Sequence, residues 1–229
     1  MGWRWRIFGG RLWFFIKRWP FRLLSLLQWL TLIHSPQGRH RLMRWLSGVV
    51  LLATDLLPLA LIYSTLLDLM KRKSRPLSID ELEVARKVFG SAIALHLITL
   101  DAHSRPIRKG MGTAYVSYFT INYWHTLPAH ILVHELVHIW QYDRYGSVYI
   151  SEALWAQRWG GGYDYGGLDA LQLYSDGAGL EAFNFEQQAD IIEDYFRWLT
   201  GMPLQWTLNL PGVGVVLEKY KEQISSSPP

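Results

Sequence analysis

The sequence predicts a predominantly helical α+β fold with a small sheet, preceded by a basic, apolar and helical N-terminal region. Three observations lead to this prediction. The first 75 residues are rich in arginine, tryptophan and leucine. Residues 131–140 and 184–198 carry apolar side chains at helical spacing. Residues 113–124 are instead β-branched and aromatic, which is typical of a strand.

The distribution of charged residues divides the chain of 229 residues into two parts that we expect to have different functions. Residues 1–75 contain 13 basic and 2 acidic side chains, whereas residues 76–229 contain 10 basic and 17 acidic ones. We therefore expect a membrane-associated region over 1–75, a folded domain over 76–210 and a C-terminal tail over 211–229. The absence of cysteine excludes disulfides, thiolate metal sites and iron–sulfur clusters, so any metal must be held by His, Asp or Glu.

Cations and large aromatic rings alternate at the N-terminus, as in Trp3-Arg4-Trp5-Arg6 and again over residues 13–22. This mixture favours the headgroup layer of an anionic membrane. Nucleic acid is the competing partner of a basic aromatic segment. However, the intervening residues are leucines and no motif of a nucleic-acid-binding fold is present, so we expect an anionic membrane surface and no nucleic acid.

Residues 49–67 form a nineteen-residue apolar stretch in which Asp55 is the sole charge. Its Val, Leu and Ile side chains favour insertion by about 4–5 kcal/mol, and Asp55 alone opposes it by about 3 kcal/mol. Pro58 and the hydroxyl residues remove most of the remainder. The sequence therefore leaves open whether this segment spans a membrane or lies as an amphipathic or protein-buried helix.

Three elements are expected between residues 76 and 124. Ser78 and Glu81 have the spacing of a capping box, which predicts a helix that ends at Gly90. Residues 91–99 are apolar and fit either a strand or a continuation of that helix. Residues 113–124 are expected to form one strand.

The next helix carries the sequence His134-Glu135-Leu136-Val137-His138. We expect Thr126 to cap it, Pro128 to lie in its first turn and Gly146 to end it. Residues four apart share a helix face, so the two imidazoles can reach one metal ion, and Glu135 can activate a metal-bound water. The alternative is a buried helix whose two histidines form hydrogen bonds within the protein and bind no metal. His130 shares the face, but three histidines in one row cannot surround a metal tetrahedrally.

A second helix is predicted over residues 184–198, capped by Asn184 and Gln187. Glu186 and Asp190 share one face of it, with Glu193 a turn further. This face is either a solvated acidic surface or a ligand surface, and the apolar neighbours favour the second. The preceding glycine-rich loop, residues 159–167, is interpreted either as a rim that offers Tyr163 or Tyr165 to a reaction intermediate or as a turn whose tyrosines pack on the surface; the second interpretation is slightly favoured.

Together the two helices resemble the gluzincins, the thermolysin-like zinc metallopeptidases, in which a later helix brings a glutamate to the metal and an aspartate four residues on holds a zinc histidine. The metzincin extension needs histidine at position 144, where this chain has Arg144. The gluzincin resemblance implies a zincin-like core and an edge strand, residues 113–124, that binds an extended peptide. It also implies the site roles: Zn²⁺ ligands His134, His138 and Glu186, general base Glu135, and Asp190 beside a zinc histidine.

Residues 113–198 are also similar to a group of bacterial HExxH proteins encoded beside secretion-spike genes, which share the motifs at 134–141 and 184–189. We therefore expect a membrane-associated metallopeptidase, at the bacterial inner membrane or its cytoplasmic face, that cleaves peptide or protein substrates with a zinc-activated water. Two alternatives stay open: a zinc-binding interaction module that does not hydrolyse, and a membrane-active protein driven by residues 1–75. Glu193, Asp190 and Asp164 remain alternatives to Glu186 as third ligand.

Overall fold

The computed structural model describes residues 2–31, 39–70, 74–102 and 114–226. Within these ranges the chain is mainly helical with one small sheet, which confirms the predominantly helical α+β class. The helices are α1 (Gly2–Thr31), α2 (Arg39–Asp55), α3 (Leu59–Met70), α4 (Ile79–Phe89), α5 (Ala129–Tyr145), α6 (Val148–Trp159), α7 (Gly167–Ser175), α8 (Phe185–Leu199) and α9 (Val213–Ser225). The strands are β1 (Ser74–Pro76), β2 (Thr99–Asp101), β3 (Ala114–Ser117) and β4 (Thr120–Tyr123).

The sheet has the strand order β1-β2-β4-β3, with β2 and β4 parallel and the other two pairs antiparallel. The prediction of one strand over 113–124 was wrong, because the described part of it folds into the hairpin β3–β4; residue 113 lies outside the described residues. The turn is made at Tyr118, whose φ of 58° is unusual for a side chain of this size. Its ring packs against those of Tyr63 and Tyr142, which helps to hold this conformation. The run 91–99 forms a short 3₁₀ turn and the first residue of β2.

Both capping boxes are present. The Ser78 side chain accepts the backbone N–H of Glu81, and the Glu81 carboxylate accepts the N–H of Ser78. Asn184 and Gln187 make the same reciprocal pair at the start of α8. The predicted cap at Thr126 was wrong, because α5 begins one residue after Pro128, which occupies the cap position without a side-chain hydrogen bond.

The centre of the molecule is the pair α5 and α8. Twelve consecutive residues of α5, 132–143, are buried, because α8, α4, α6 and the sheet surround the helix. Helix α9 closes the other side of α8 with Leu217, Tyr220 and Ile224 inside the core. Most of the segment expected as a C-terminal tail, residues 211–229, therefore forms a helix that packs into the core; residues 227–229 lie outside the described residues.

The N-terminal helices pack against this core through arginine side chains. The Arg11 guanidinium donates to the Leu97 carbonyl at 3.0 Å and to the Thr99 hydroxyl at 3.1 Å. Arg18 forms an ion pair with Asp143 on α5 at 2.6 Å. One turn further along α1, a buried arginine, Arg22, donates to the carbonyl of Tyr142. These three cations are thus bound to the protein interior.

Residues 49–67 do not form one helix. Among the described residues no single helix is long and apolar enough to cross a membrane, although Leu42–Asp55 and Leu59–Leu67 pass that test together and are bent by 77°. Asp55, at the bend, accepts the backbone N–H of Ser147 at 2.6 Å and also its hydroxyl. Gly146 makes this possible, because its φ is +80° and a Cβ there would lie 2.4 Å from an Asp55 carboxylate oxygen.

Candidate metal centre

Helices α5 and α8 bring three predicted ligands together. His134 and His138 lie one turn apart on α5, with ring centroids separated by 5.1 Å. Glu186, in the first turn of α8, places its Oε2 atom 3.5 Å from Nε2 of His134 and 3.6 Å from Nε2 of His138. All three side chains are buried, and they form a group that could hold a metal ion.

Two buried carboxylate oxygens, one of Glu186 in this group and one of the neighbouring Glu135, indicate that a cation fits there. The Oε2 atoms of Glu186 and Glu135 are buried and have no hydrogen-bond partner among the described residues. The other oxygen of Glu186 accepts from Gln157 Nε2 at 2.9 Å. A buried carboxylate oxygen without a donor is costly, and a cation between it and the two imidazole nitrogens would remove that cost.

A second group of ligand-type side chains lies on the opposite edge of the same imidazole. Asp190 Oδ1 is 2.8 Å and Glu193 Oε2 is 3.3 Å from Nδ1 of His134. Glu193 is already paired with Arg197 at 2.8 Å, and Asp190 accepts a hydrogen bond from the indole of Trp206. Because these groups face Nδ1, they leave Nε2 of His134 free to face Glu186.

The remaining candidates for a ligand role lie elsewhere. The Asp164 carboxylate accepts the backbone N–H of Gly166 within its own loop. Neither Asp164 nor His130 belongs to a metal-type group among the described residues. Burial lowers the pKa of the half-buried His130, and the positive charge of Arg197 lowers it further.

A chain of amides fixes the orientation of His138. The amide nitrogen of Gln141 donates to the Phe185 carbonyl at 2.9 Å and to Gln188 Oε1 at 3.0 Å. Its oxygen, 2.8 Å from Nδ1 of His138, must therefore accept a hydrogen bond from a protonated Nδ1. The proton on Nδ1 leaves the lone pair on Nε2, directed toward Glu186. Gln188 in turn donates to two backbone carbonyls, so the chain ends on rigid backbone.

The charges of the cluster are strongly coupled. Burial lowers the pKa of His134, but Asp190, Glu186 and Glu193 outweigh burial and raise it well above the ordinary value. Burial raises the pKa of Glu186, but the two histidines outweigh it and hold that pKa far below its usual range. The pKa of Glu135 is raised, chiefly by burial. Without a metal, protonated histidine is thus the counter-charge of Glu186.

The two tyrosines of the glycine-rich loop differ in position. The Tyr163 ring lies 6.1 Å from the His134 ring, and burial raises the pKa of its hydroxyl. Tyr165 is buried, and its hydroxyl donates to Asp194 at 2.7 Å, away from the histidines. Of the two, only Tyr163 has its ring next to a histidine of the cluster.

The loop itself is attached to α8. Asn184 donates to the carbonyls of Gly160 and Gly162, and Gln187 donates to the carbonyl of Asp164. The sequence predicted Asn184 and Gln187 as caps of α8, but not their second role of holding the glycine-rich loop. Four partners of the cluster were also not predicted: Gln141, Gln157, Gln188 and Trp206. Of these, Gln141 had a visible signal in the sequence, its position three residues after His138.

Comparison with protein-family models, with curated proteins and with solved structures gave no match for this chain.

Proposed function

We propose that this protein is a zinc metallopeptidase with a zincin-like core, in which His134, His138 and Glu186 hold the metal. The observation that carries the proposal is the buried Glu186 Oε2, which accepts no hydrogen bond among the described residues and lies 3.5 Å and 3.6 Å from the Nε2 atoms of the two histidines. Two neutral imidazoles and one carboxylate are a donor set that suits Zn²⁺ and leaves one position open for chemistry.

When bound, Zn²⁺ supplies a Lewis acid that polarises a carbonyl and makes a water molecule more acidic. Glu135 supplies the proton transfers. Its Oε2 is buried and partnerless, and burial raises its pKa, which brings it nearer to the value a general base needs at neutral pH. Glu135 would accept a proton from the attacking water and deliver it to the leaving amine. Asp190 and Gln141 hold the two imidazoles in register during these steps.

The sheet offers a place for the substrate. Among the described strands β3 is at the outer edge, paired on one side with β4, and it packs against α5. An extended peptide can add to such an edge by backbone hydrogen bonds, which supports a polypeptide substrate. Of the two loop tyrosines, Tyr163, whose ring lies 6.1 Å from that of His134, would donate to a developing oxyanion.

The metal assignment is tested by the zinc content of the purified chain and its variants. We expect about one zinc ion per chain, retained by Glu193→Ala and lost by Glu186→Ala. Glu193→Ala is the matched control, because Glu193 lies on the same helix and contacts the same imidazole through its other nitrogen. No zinc after reconstitution, or equal loss in both variants, would contradict the assignment.

The catalytic assignment is tested with Glu135→Gln. This variant should keep zinc but hydrolyse an unfolded protein or a peptide library about 10²- to 10⁴-fold more slowly, because a positioned general base is worth that much. Undiminished hydrolysis by Glu135→Gln would overturn the role of this residue. Stoichiometric zinc without any hydrolysis by the unaltered chain would favour the non-hydrolytic zinc-binding module instead.

A further inference from the structure

Helix α1 is inverted compared with the surface helix of a water-soluble domain. Two of its arginines turn inward, Arg11 and Arg22, which are only 2% and 5% exposed. Its large apolar side chains turn outward, with Trp13 and Ile16 67% and 54% exposed. A helix that faces water shows the opposite arrangement, with its apolar stripe against the core.

Helices α2 and α3 continue this apolar surface. Each presents an outward stripe at helical spacing, which consists of Leu42, Leu46 and Val50 on α2 and of Leu59, Ile62 and Leu66 on α3. Of the 29 exposed large apolar side chains in the described ranges, 19 lie in residues 2–70, and the other ten are spread over the longer part of the chain that follows. Such a concentration indicates an interaction surface. We call the outward face of α1–α3 the apolar platform.

The bend between α2 and α3 is bound to the core. Asp55 is held by Ser147, at the point where α6 begins, and its carboxylate also lies in the field of Arg22. The two arms lie along the protein as well: Arg44 of α2 pairs with Glu152 of α6, and Tyr63 of α3 contacts Tyr118 in the β3–β4 turn at 5.9 Å. A straight spanning helix would have to break these contacts and leave the Asp55 carboxylate without its donors.

The charges of the platform select its partner. Arg6 and Lys17 are exposed on α1, whereas Asp55, the sole carboxylate among the described side chains of the three helices, is buried. A second copy of this chain docked by the same face would bring like charges together, since such an interface pairs a surface with itself. Anionic headgroups would neutralise these cations, and exposed indole rings suit the same layer.

We infer that the apolar platform is embedded in one leaflet of an anionic bilayer and that residues 49–67 enter this leaflet without crossing it. The inference does not depend on zinc or on hydrolysis. If the proposed hydrolysis is correct, the Tyr63–Tyr118 contact places the substrate strand β3 next to the lipid surface, so the natural substrates would be polypeptide segments at a membrane.

The lipid partner is tested by flotation with preformed phosphatidylcholine vesicles, with and without about 30% phosphatidylglycerol. The unaltered chain should float with the anionic vesicles. The double variant Trp13→Glu/Ile16→Glu should bind at least about tenfold more weakly, because it places charges in the apolar layer. The matched control Leu173→Glu/Leu208→Glu should bind normally, because it alters two equally exposed apolar side chains outside the platform.

The one-leaflet arrangement is tested with single cysteines, which is straightforward in a chain without native cysteine. Gly2→Cys and Gly177→Cys lie on opposite sides of residues 49–67 in the sequence, and a Cβ at either position meets no atom within 4 Å. On protein added to the outside of vesicles, a membrane-impermeant maleimide should label both without detergent. Labelling of either site by a membrane-impermeant maleimide enclosed inside the vesicles would show that the chain crosses the bilayer and would refute the inference.

Two further outcomes would also overturn it. Absence of vesicle binding by the unaltered chain would exclude the lipid partner. Self-association that is abolished by Trp13→Glu/Ile16→Glu, with vesicle binding unchanged, would show that a second copy covers the platform. Glu135→Gln should float like the unaltered chain, so failure of the proposed hydrolysis and failure of the lipid partner are distinguishable.

Discussion

Replacing Gln141 by methionine should weaken zinc binding without unfolding the protein. The Gln141 side chain is completely buried, and its amide connects Nδ1 of His138 with Gln188 and the Phe185 carbonyl. Methionine has nearly the same length, but it neither accepts a hydrogen bond from Nδ1 of His138 nor donates one to Oε1 of Gln188. In Gln141→Met the His138 ring therefore loses the contact that fixes its tautomer and its orientation.

The expected size of the effect follows from these contacts. Loss of the partner of a metal-binding histidine typically costs 10- to 100-fold in metal affinity, or about 1.4–2.7 kcal/mol. The metal-free protein should lose about 1–3 kcal/mol of unfolding free energy, because Gln188 Oε1 is left without its amide donor from Gln141. This is less than the about 5–15 kcal/mol of a typical domain, so the variant should still fold.

Zinc affinity is measured by competition with a chromogenic chelator, and the unfolding free energy by urea denaturation of the metal-free protein. Gln172→Met is the matched control, because Gln172 is exposed on α7 and far from these contacts in the chain. Gln141→Glu should recover zinc affinity, because a carboxylate accepts a hydrogen bond from Nδ1 of His138. It should not recover the lost unfolding free energy. A folded Gln141→Met protein with unchanged zinc affinity would refute the proposed orientation of His138.

Three further predictions concern charge. Zinc binding near neutral pH should release protons, because His134 must deprotonate to bind the metal. Burial lowers the pKa of His134, but Asp190 and Glu186 outweigh burial and raise this pKa well above 6.5. Calorimetry in two buffers with different ionisation heats measures the protons released, and proton uptake would contradict the prediction. In the metal-free protein the same raised pKa stabilises the fold fully below pH 6.5. This stabilisation is lost as pH rises from 6.5 through the pKa of the folded state, so the unfolding free energy should fall as pH rises above neutrality. Arg18→Ala should lower the unfolding free energy, measured by chemical denaturation, by about 2–4 kcal/mol, because it leaves Asp143 buried without its ion pair. The double variant Arg18→Met/Asp143→Leu should recover most of this loss. Equal stability of the single and double variants would contradict this account.

Elements with a local cause could be predicted from the sequence. The capping boxes at Ser78 and Asn184 depend on residues three apart, so the starts of α4 and α8 were predicted correctly. The hairpin β3–β4 could not be predicted in this way, because Tyr118 adopts a positive φ without the glycine or asparagine that usually marks such a turn. Its conformation depends on the rings of Tyr63 and Tyr142, from distant helices.

The cluster shows the same division. His134, Glu135 and His138 share a helix face by spacing alone, so their proximity could be predicted. Their partners Gln188 and Trp206 meet them only through tertiary packing, which no local pattern records. The arginines of α1 were the hardest side chains to place, because a basic, tryptophan-rich sequence does not reveal which cations are exposed and which bind to the protein interior.

The buried arginines of α1 have a practical consequence for protein production. A shortened fragment that begins near residue 76 would be the usual choice for expression without the basic, apolar N-terminal region. In this protein such a cut would strip the counter-charge from Asp143, the acceptor from the Ser147 backbone N–H and the donor from the Leu97 carbonyl. We expect such a fragment to be unstable or to aggregate, so purification of the whole chain in a mild detergent is the better starting point.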